Sequence, residues 1–553
     1  MTVRWYQHAV VYCVEVASFQ DSDDSGRGDL RGLASRLDHL ARLGVTCLWL
    51  NPIHPSPGRD NGYDITDYYA VHPALGSLGD MAALVRAARE RGIRIVLDLV
   101  VNHTSDEHPW FTSARSSPDS PYRDWYVWSA DEPPNRTQGT VFPGEQEETW
   151  SWDEQAGAWY FHRFYGFQPD LNWSNPDVRA EIDRVMAFWL QLGVSGFRVD
   201  AAPFVLEQVS PGVDPGPQDF SILDSWRQET QWQVGDSVLL CEANVAPAAV
   251  PTFVGSRPDG PCDRAQLMFD FLLNPKIWLA LARRDAEPLV EALMSAVVLP
   301  QGGQWVTFLR NHDELDLSRL TAEQRGDVFA AFAPEEDMQL YGRGIRRRLA
   351  PMLGGDRRHI ELAYALQFSL PGTPVVRYGD EIGMGEDLAL DGREAFRTPM
   401  QWDDGPNGGF SSADPETLAR PLVSDHDFAT ARVNVRAQQR DPSSLLRWFE
   451  NLVHTLRLAP EIGSGTCQVV AVPLPRPVLA HRFDAPSGSI LLLHNLADKA
   501  VTVDLGRLSD AAERPYDLLV DGPYDAPTAE LTGLELHGWG YRWIRLGRSD
   551  GGY

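Results

Sequence analysis

The chain has 553 residues, 43% hydrophobic and 23% charged, which suits a globular fold and excludes a disordered or collagen-like chain. A net charge of −28 and an isoelectric point near 4.8 repel phosphate backbones and anionic lipid, so a neutral substrate is expected, with no nucleic-acid or membrane partner. Five scattered cysteines form no CxxC or Cys/His cluster, which argues against a disulfide framework and a zinc site. No apolar run approaches the roughly 18 residues of a membrane span, and the first residues do not read as a signal peptide, so the cytoplasm is the expected compartment.

Short apolar runs recur along the chain at Val10–Val16, Cys47–Asn51, Ile93–Val101, Gly196–Asp200, Val238–Ala243, Gln266–Phe271, Trp305–Asn311 and Pro374–Tyr378. Each is too short for a buried helix and reads as a parallel strand covered on both faces. Helical patterns such as Leu30–Leu43, Leu75–Glu90 and Val178–Leu192 lie between them. Eight such units predict an α/β fold, a (β/α)8 TIM barrel. The barrel spans 1–102 and 173–459, and an inserted domain rich in Trp, Pro, Ser and Asp occupies 103–172 after the third strand. A second long gap, about Glu314 to Gly372, holds a basic stretch read as helical, Gly344-Ile345-Arg346-Arg347-Arg348-Leu349. Alternating strands in 460–553 (Cys467–Val472, Ser489–His494, Ala500–Leu505, Tyr541–Leu546) predict a C-terminal antiparallel β-sandwich.

Polar groups at the C-terminal ends of barrel strands project into the mouth where such barrels do chemistry. Here the third strand runs through Asp98 into Asn102-His103, and the fourth ends Arg198-Val199-Asp200. The fifth ends Glu242-Ala243-Asn244, and the seventh ends Asn311-His312-Asp313-Glu314. One acid at one strand end is usually a helix cap or a solvated loop residue. Acids or histidines at four ends of one face supply a nucleophile, a proton donor and an electrostatic clamp. That inventory suits cleavage of a glycosidic bond, where positive charge develops on the sugar and the leaving oxygen needs a proton.

With these residues in view, the chain strongly resembles glycoside hydrolase family 13, the α-amylase superfamily. The match rests on Asp98-Leu99-Val100-Val101-Asn102-His103, Gly196-Phe197-Arg198-Val199-Asp200, Glu242-Ala243-Asn244 and Asn311-His312-Asp313, in the family's order. The resemblance implies Asp200 as nucleophile, Glu242 as general acid/base and Asp313 as transition-state stabiliser. Arg198, on the strand face of Asp200, is expected to keep it ionised, and Glu242 must hold a proton to donate. Asp60-Asn61-Gly62-Tyr63-Asp64-Ile65 resembles the motif of exo-acting α-glucosidases, and Arg397-Thr398-Pro399-Met400-Gln401-Trp402 matches the same subgroup. By that resemblance Asp60 and Arg397 pair over the terminal sugar, Tyr63 stacks on its ring, and His103, Gln168, Arg198 and His312 line its subsite.

No organic cofactor is implied, but one or two structural Ca²⁺ sites are. One uses the loop residues Asp21, Asp23, Ser25, Arg27 and Asp29, where the family usually has Asp at the position of Ser25. The second uses Asn102, Asp170 and oxygens near Phe204, Val205 and Glu207. Within the family the resemblance is closest to trehalose synthases, carried by 344–353, 369–375, 378–385 and Trp173. Those enzymes commonly continue Glu-Ala-Asn with Gln-Trp, whereas this chain has Val245-Ala246-Pro247. The implied activity is retaining interconversion of maltose and trehalose, small neutral α-glucosides, with some hydrolysis. The alternatives are an exo-acting α-glucosidase or intermolecular α-glucosyltransferase, and, more remotely, a non-catalytic barrel for protein interaction. Self-association as a homodimer stays open.

Overall fold

The computed structural model describes residues 4–213, 215–506, 508 and 515–547. Residues 1–3 and 548–553, with which the sequence-defined domains begin and end, lie outside the described residues. Eight parallel strands close into a barrel: β1 (Val11–Val14), β2 (Cys47–Leu50), β3 (Arg94–Leu99), β7 (Gly196–Val199), β8 (Val238–Cys241), β9 (Leu267–Phe269), β10 (Gln304–Phe308) and β14 (Thr373–Arg377). All eight predicted strands are present, each ending before the predicted run does, while β10 and β14 begin one residue earlier than predicted. Their residues alternate as a pleat requires. Val11, Cys13, Trp49, Leu240, Phe269 and Phe308 fill the barrel interior. Tyr12, Leu48, Leu239 and Met268 face outward into the larger core under the helices.

The helices follow their caps. Pro176–Leu192 starts behind the Asn175 cap and stops at Gly193, whose φ of 111° a side chain rarely adopts. Leu78–Glu90 begins at a Ser77–Asp80 capping box, three residues later than the periodicity suggested. The stretch read as one helix over Leu30–Leu43 is two, Leu30–Ser35 and Leu37–Leu43, broken at Arg36. Arg36 leaves the helical track to lay its guanidinium 4.1 Å over the Trp402 ring.

Between β3 and β7 the chain forms a three-stranded antiparallel sheet of β4 (Trp128–Ser129), β5 (Trp150–Asp153) and β6 (Ala158–Phe161). Between β10 and β14 a second small sheet joins β11 (Leu315–Asp316), β12 (Gln339–Leu340) and β13 (Gly344–Ile345). The basic stretch is therefore not helical, because its arginines diverge to separate partners. Arg347 reaches Glu386, Arg348 reaches Asp380, and Arg346 reaches the Leu388 carbonyl. At the C-terminus β15 (Thr466–Val469), β16 (Val478–Ala485), β17 (Gly488–Asn495), β21 (Tyr541–Gly547) and β19 (Tyr516–Val520) form an antiparallel sheet. One face packs against a two-stranded layer, β18 (Val501–Val503) with β20 (Leu534–Leu536), through Leu491, Leu493, Val503, Leu534 and Ile544. The second layer of the sandwich is thus only a ribbon.

Candidate active site

Arg198 is the centre of the site. β3 and β7 pair with Asp98 opposite Arg198, so both side chains turn into the mouth of the barrel. The guanidinium is 1% exposed. Its Nη1 lies 2.5 Å from Asp200 Oδ1 and 3.1 Å from Asp98, and its Nη2 lies 2.8 Å from Glu242. Asp98 is fixed in turn by Trp49 Nε1 at 2.9 Å and the Tyr63 hydroxyl at 2.7 Å. Asp98 and Trp49 are not in the predicted set of site residues, although Asp98 opens one of the quoted motifs. The acids also lie deeper than a barrel mouth suggests: Asp200 is 8% exposed and the Glu242 side chain 24%.

Arg198 was expected to keep Asp200 ionised, but it does not do so alone: burial foremost, and then the negative charges of Glu242, Asp98 and Asp313, push Asp200 well above the usual carboxylate range against its pull. On the opposite wall burial works against the Asp313 carboxylate too. There Arg393, His312 and Arg397 outweigh it and hold Asp313 well below that range. The distances are 3.1 Å to Arg393, 3.0 Å to His312 and 3.4 Å to Arg397.

The structure rearranges the expected sugar clamp. Asp60 accepts a hydrogen bond from Gln168 at 2.9 Å. Among the described residues Arg397 pairs with Asp313 and Glu394, not with Asp60. The cation that acts most on Asp60 is Arg393, which also holds Glu314 at 2.8 Å. Burial pushes Asp60 up to about 6 against that charge. Sequence reasoning missed Arg393, which sits one helical turn before the Arg397 motif, because nothing in its spacing marks it as buried. His103 lines the pocket with both ring nitrogens engaged: Nε2 is 3.0 Å from the Tyr63 carbonyl and Nδ1 3.4 Å from the Asn102 amide. Burial lowers it to about 4, so the ring is neutral. Tyr63 and His312 stack at 5.7 Å, and the Tyr63 hydroxyl lies 2.6 Å from His312 Nε2.

Together Asp60, Tyr63, His103, Asp200, Glu242 and Asp313 surround a cavity of about 440 Å³. Two insertions meet over it. Phe142, from the segment before β5, packs 5.2 Å from Tyr341 between β12 and β13. Arg343 donates to the Val141 carbonyl at 2.9 Å, and the Arg393 guanidinium lies 5.3 Å over the Phe142 ring. Arg319 ties the Val245 loop to this lid by bonding Asn244 and the Val245 carbonyl.

Of the candidate cation ligands, the carboxylates of Asp21, Asp23 and Asp29 converge, their oxygens within 4.8 Å of one another, and this donor set fits a hard divalent ion. The Ser25 hydroxyl donates to the Arg27 carbonyl. The second set fits less well. Glu207 is bound at 2.9 Å by Arg163, so a guanidinium already compensates the charge it would offer a cation. Phe204 and Val205 belong to the short helix Ala202–Val205, and the Phe204 carbonyl accepts from the Glu207 amide.

Comparison with known proteins agrees with this geometry. A family model described as the α-amylase catalytic domain matches residues 14–330 and 345–462. The chain belongs to the α-amylase family. A sucrose hydrolase-like C-terminal domain matches 488–545. A trehalose synthase of Pimelobacter sp. is 40% identical over 99% of this chain and 96% of its own. A trehalose synthase/amylase of Mycolicibacterium smegmatis is also 40% identical, over 99% and 93%. Among solved structures, the trehalulose synthase MutB of Pseudomonas mesoacidophila superposes with a TM-score of 0.79 at 25% identity, covering 99% and 100% of the two chains. No helix among the described residues is long and apolar enough to cross a membrane.

Proposed function

We propose that this α-amylase family member is a retaining α-glucosyl-transferring enzyme that interconverts maltose and trehalose, with some hydrolysis. The observation that carries the reading is the set of carboxylates gathered on Arg198 in a lidded pocket the size of a disaccharide site. Whole-length similarity to trehalose synthases supports it. In the reactive form the proton held among these acids sits on Glu242 and leaves Asp200 ionised against Arg198. Asp200 then attacks C1 from below the ring while Glu242 gives that proton to the leaving oxygen, which breaks the glycosidic bond and leaves a glucosyl ester and free glucose. Asp313 faces the ring where positive charge develops. Glu242, now a carboxylate, takes a proton from the anomeric hydroxyl of the retained glucose, which attacks C1, displaces Asp200 and gives trehalose. When water takes that place the product is glucose. Two inversions at one carbon retain the α configuration.

Asp60 and Gln168 receive the terminal hydroxyls, with Arg393 rather than Arg397 as the neighbouring cation. His103, His312 and Tyr63 shape the ring's wall. A Ca²⁺ held by Asp21, Asp23 and Asp29 would cross-link the loop that precedes Leu30, and its role there is structural. The test is to incubate the pure enzyme with maltose and follow products by anomer-resolved NMR. Trehalose with a smaller yield of glucose is expected. Glucose alone at every time point moves the assignment to α-glucosidase, and no conversion at all removes it.

A further inference from the structure

Behind the wall formed by Tyr63, His312 and Arg397 lies a second chamber, of about 280 Å³. Four side chains around it carry polar atoms that nothing in the protein satisfies. Both ring nitrogens of His54, Nδ1 of His312, the amide nitrogen of Asn51 and one carboxylate oxygen of Glu15 have no hydrogen-bond partner. His54 is 5% and Asn51 6% exposed. Leaving a buried polar group without a partner is costly, so four beside one cavity imply a polar occupant.

The chemistry of the walls narrows that occupant. Arg420 is bound by both Glu15 and Glu394, and Arg397 by Asp313, so the guanidiniums and carboxylates cancel. Burial lowers His54 to about 4 and leaves it neutral, able to donate through one nitrogen and accept through the other. Of the charged lining residues only Arg27, exposed to solvent, has no carboxylate partner among the described residues, so away from it neither a free anion nor a metal ion finds uncompensated charge. Amide donor, imidazole and carboxylate acceptor are instead interleaved, as hydroxyl groups require. Pro52 and Leu75 add apolar wall for C–H faces.

We propose that this chamber is a second binding site for a neutral polyhydroxyl molecule of monosaccharide size, separate from the catalytic pocket but sharing its wall. It goes beyond the catalytic reading, on which only the choice of D-glucose as probe rests. A guest would lie against the back of the Tyr63–His312 pair and stiffen the wall on which the catalytic pocket depends. Occupancy of the two pockets is then coupled, and by linkage each guest alters the other's affinity by the same factor.

The test uses the full chain and D-glucose. Crystals soaked in D-glucose should show it in the chamber within hydrogen-bond distance of Asn51, His54 and Glu15. Calorimetry should show two sites. Ala17→Leu and Ala419→Leu fill the chamber from two positions outside the catalytic machinery. Each should weaken the second site at least about tenfold while leaving the other, and having both guards against one variant failing to fold. Ordered water alone in the chamber at saturating D-glucose, with identical one-site isotherms for the parent and both variants, overturns the proposal. Failure to convert maltose does not affect this readout.

Discussion

Arg198 binds Asp98, Asp200 and Glu242 through one guanidinium, so removing a single acid still leaves that buried cation two partners. Asp200→Ala and Glu242→Gln should therefore stay folded, as thermal melting would show, while maltose turnover falls by about four orders of magnitude. Near-parental turnover in the Asp200 variant would end its assignment as nucleophile. Asp60 gives a second test at this scale. Its carboxyl, pushed up to about 6 by burial, is ionised above that pH and accepts hydroxyl protons best in that form. As pH falls through 6 the acceptor is lost, so the KM for maltose should rise, by about tenfold between pH 7 and 5 if only the ionised form binds. In Asp60→Asn the KM should be flat over that window. A flat parental profile would assign the effect elsewhere.

Elements were legible where one period was enforced by burial. The eight barrel strands are covered on both faces, so their apolar runs stand out, and the motif acids fall at their ends because the chain must turn there. The short strands β11, β12 and β13 were not legible, since two-residue strands carry no period. Nor was the break at Arg36, which depends on Trp402 far along the chain. Arg393 escaped for the same reason: its partners Asp313, Glu314 and Phe142 come together only in the fold. The two long segments that form the lid were legible from their length, but their contacts were not. They make it testable. Arg343 crosses between the insertions to the Val141 carbonyl, a charged hydrogen bond worth about 1.5–3 kcal/mol. Arg343→Ala should let the lid open more often, admit water to the glucosyl ester and raise the glucose-to-trehalose ratio from maltose by up to about tenfold. An unchanged ratio would mean that the lid is held by Phe142 and Tyr341 alone.

The whole molecule depends on how the C-terminal sheet is seated on the barrel. Helix Arg357–Ser369 receives the sheet face that the β18–β20 ribbon leaves open, and two stacked histidines, His481 of β16 and His494 of β17, lie in that seam. His481 Nε2 lies 2.8 Å from the Ser369 carbonyl, and His494 Nε2 lies 3.3 Å from the Ser369 hydroxyl. Burial holds His481 down to about 4, and burial together with His481 holds His494 well below its ordinary value. The sign follows from proton counts: between pH 6.5 and 4 the unfolded chain takes up protons that the folded seam excludes, so stability falls as pH falls. Above 6.5 both states are neutral and the term vanishes. For His481 alone the loss at pH 5 is about 2 kcal/mol. Buried acids such as Asp170, pushed up to about 7, act in the opposite direction, so the total pH dependence does not isolate the seam. The comparison that does is His481→Gln, which keeps a donor for Ser369 but cannot titrate. Its stability relative to the parent, from urea unfolding, should improve by about 2 kcal/mol between pH 7 and pH 5. A difference that stays constant over that range would mean that His481 takes up its proton without disturbing the seam.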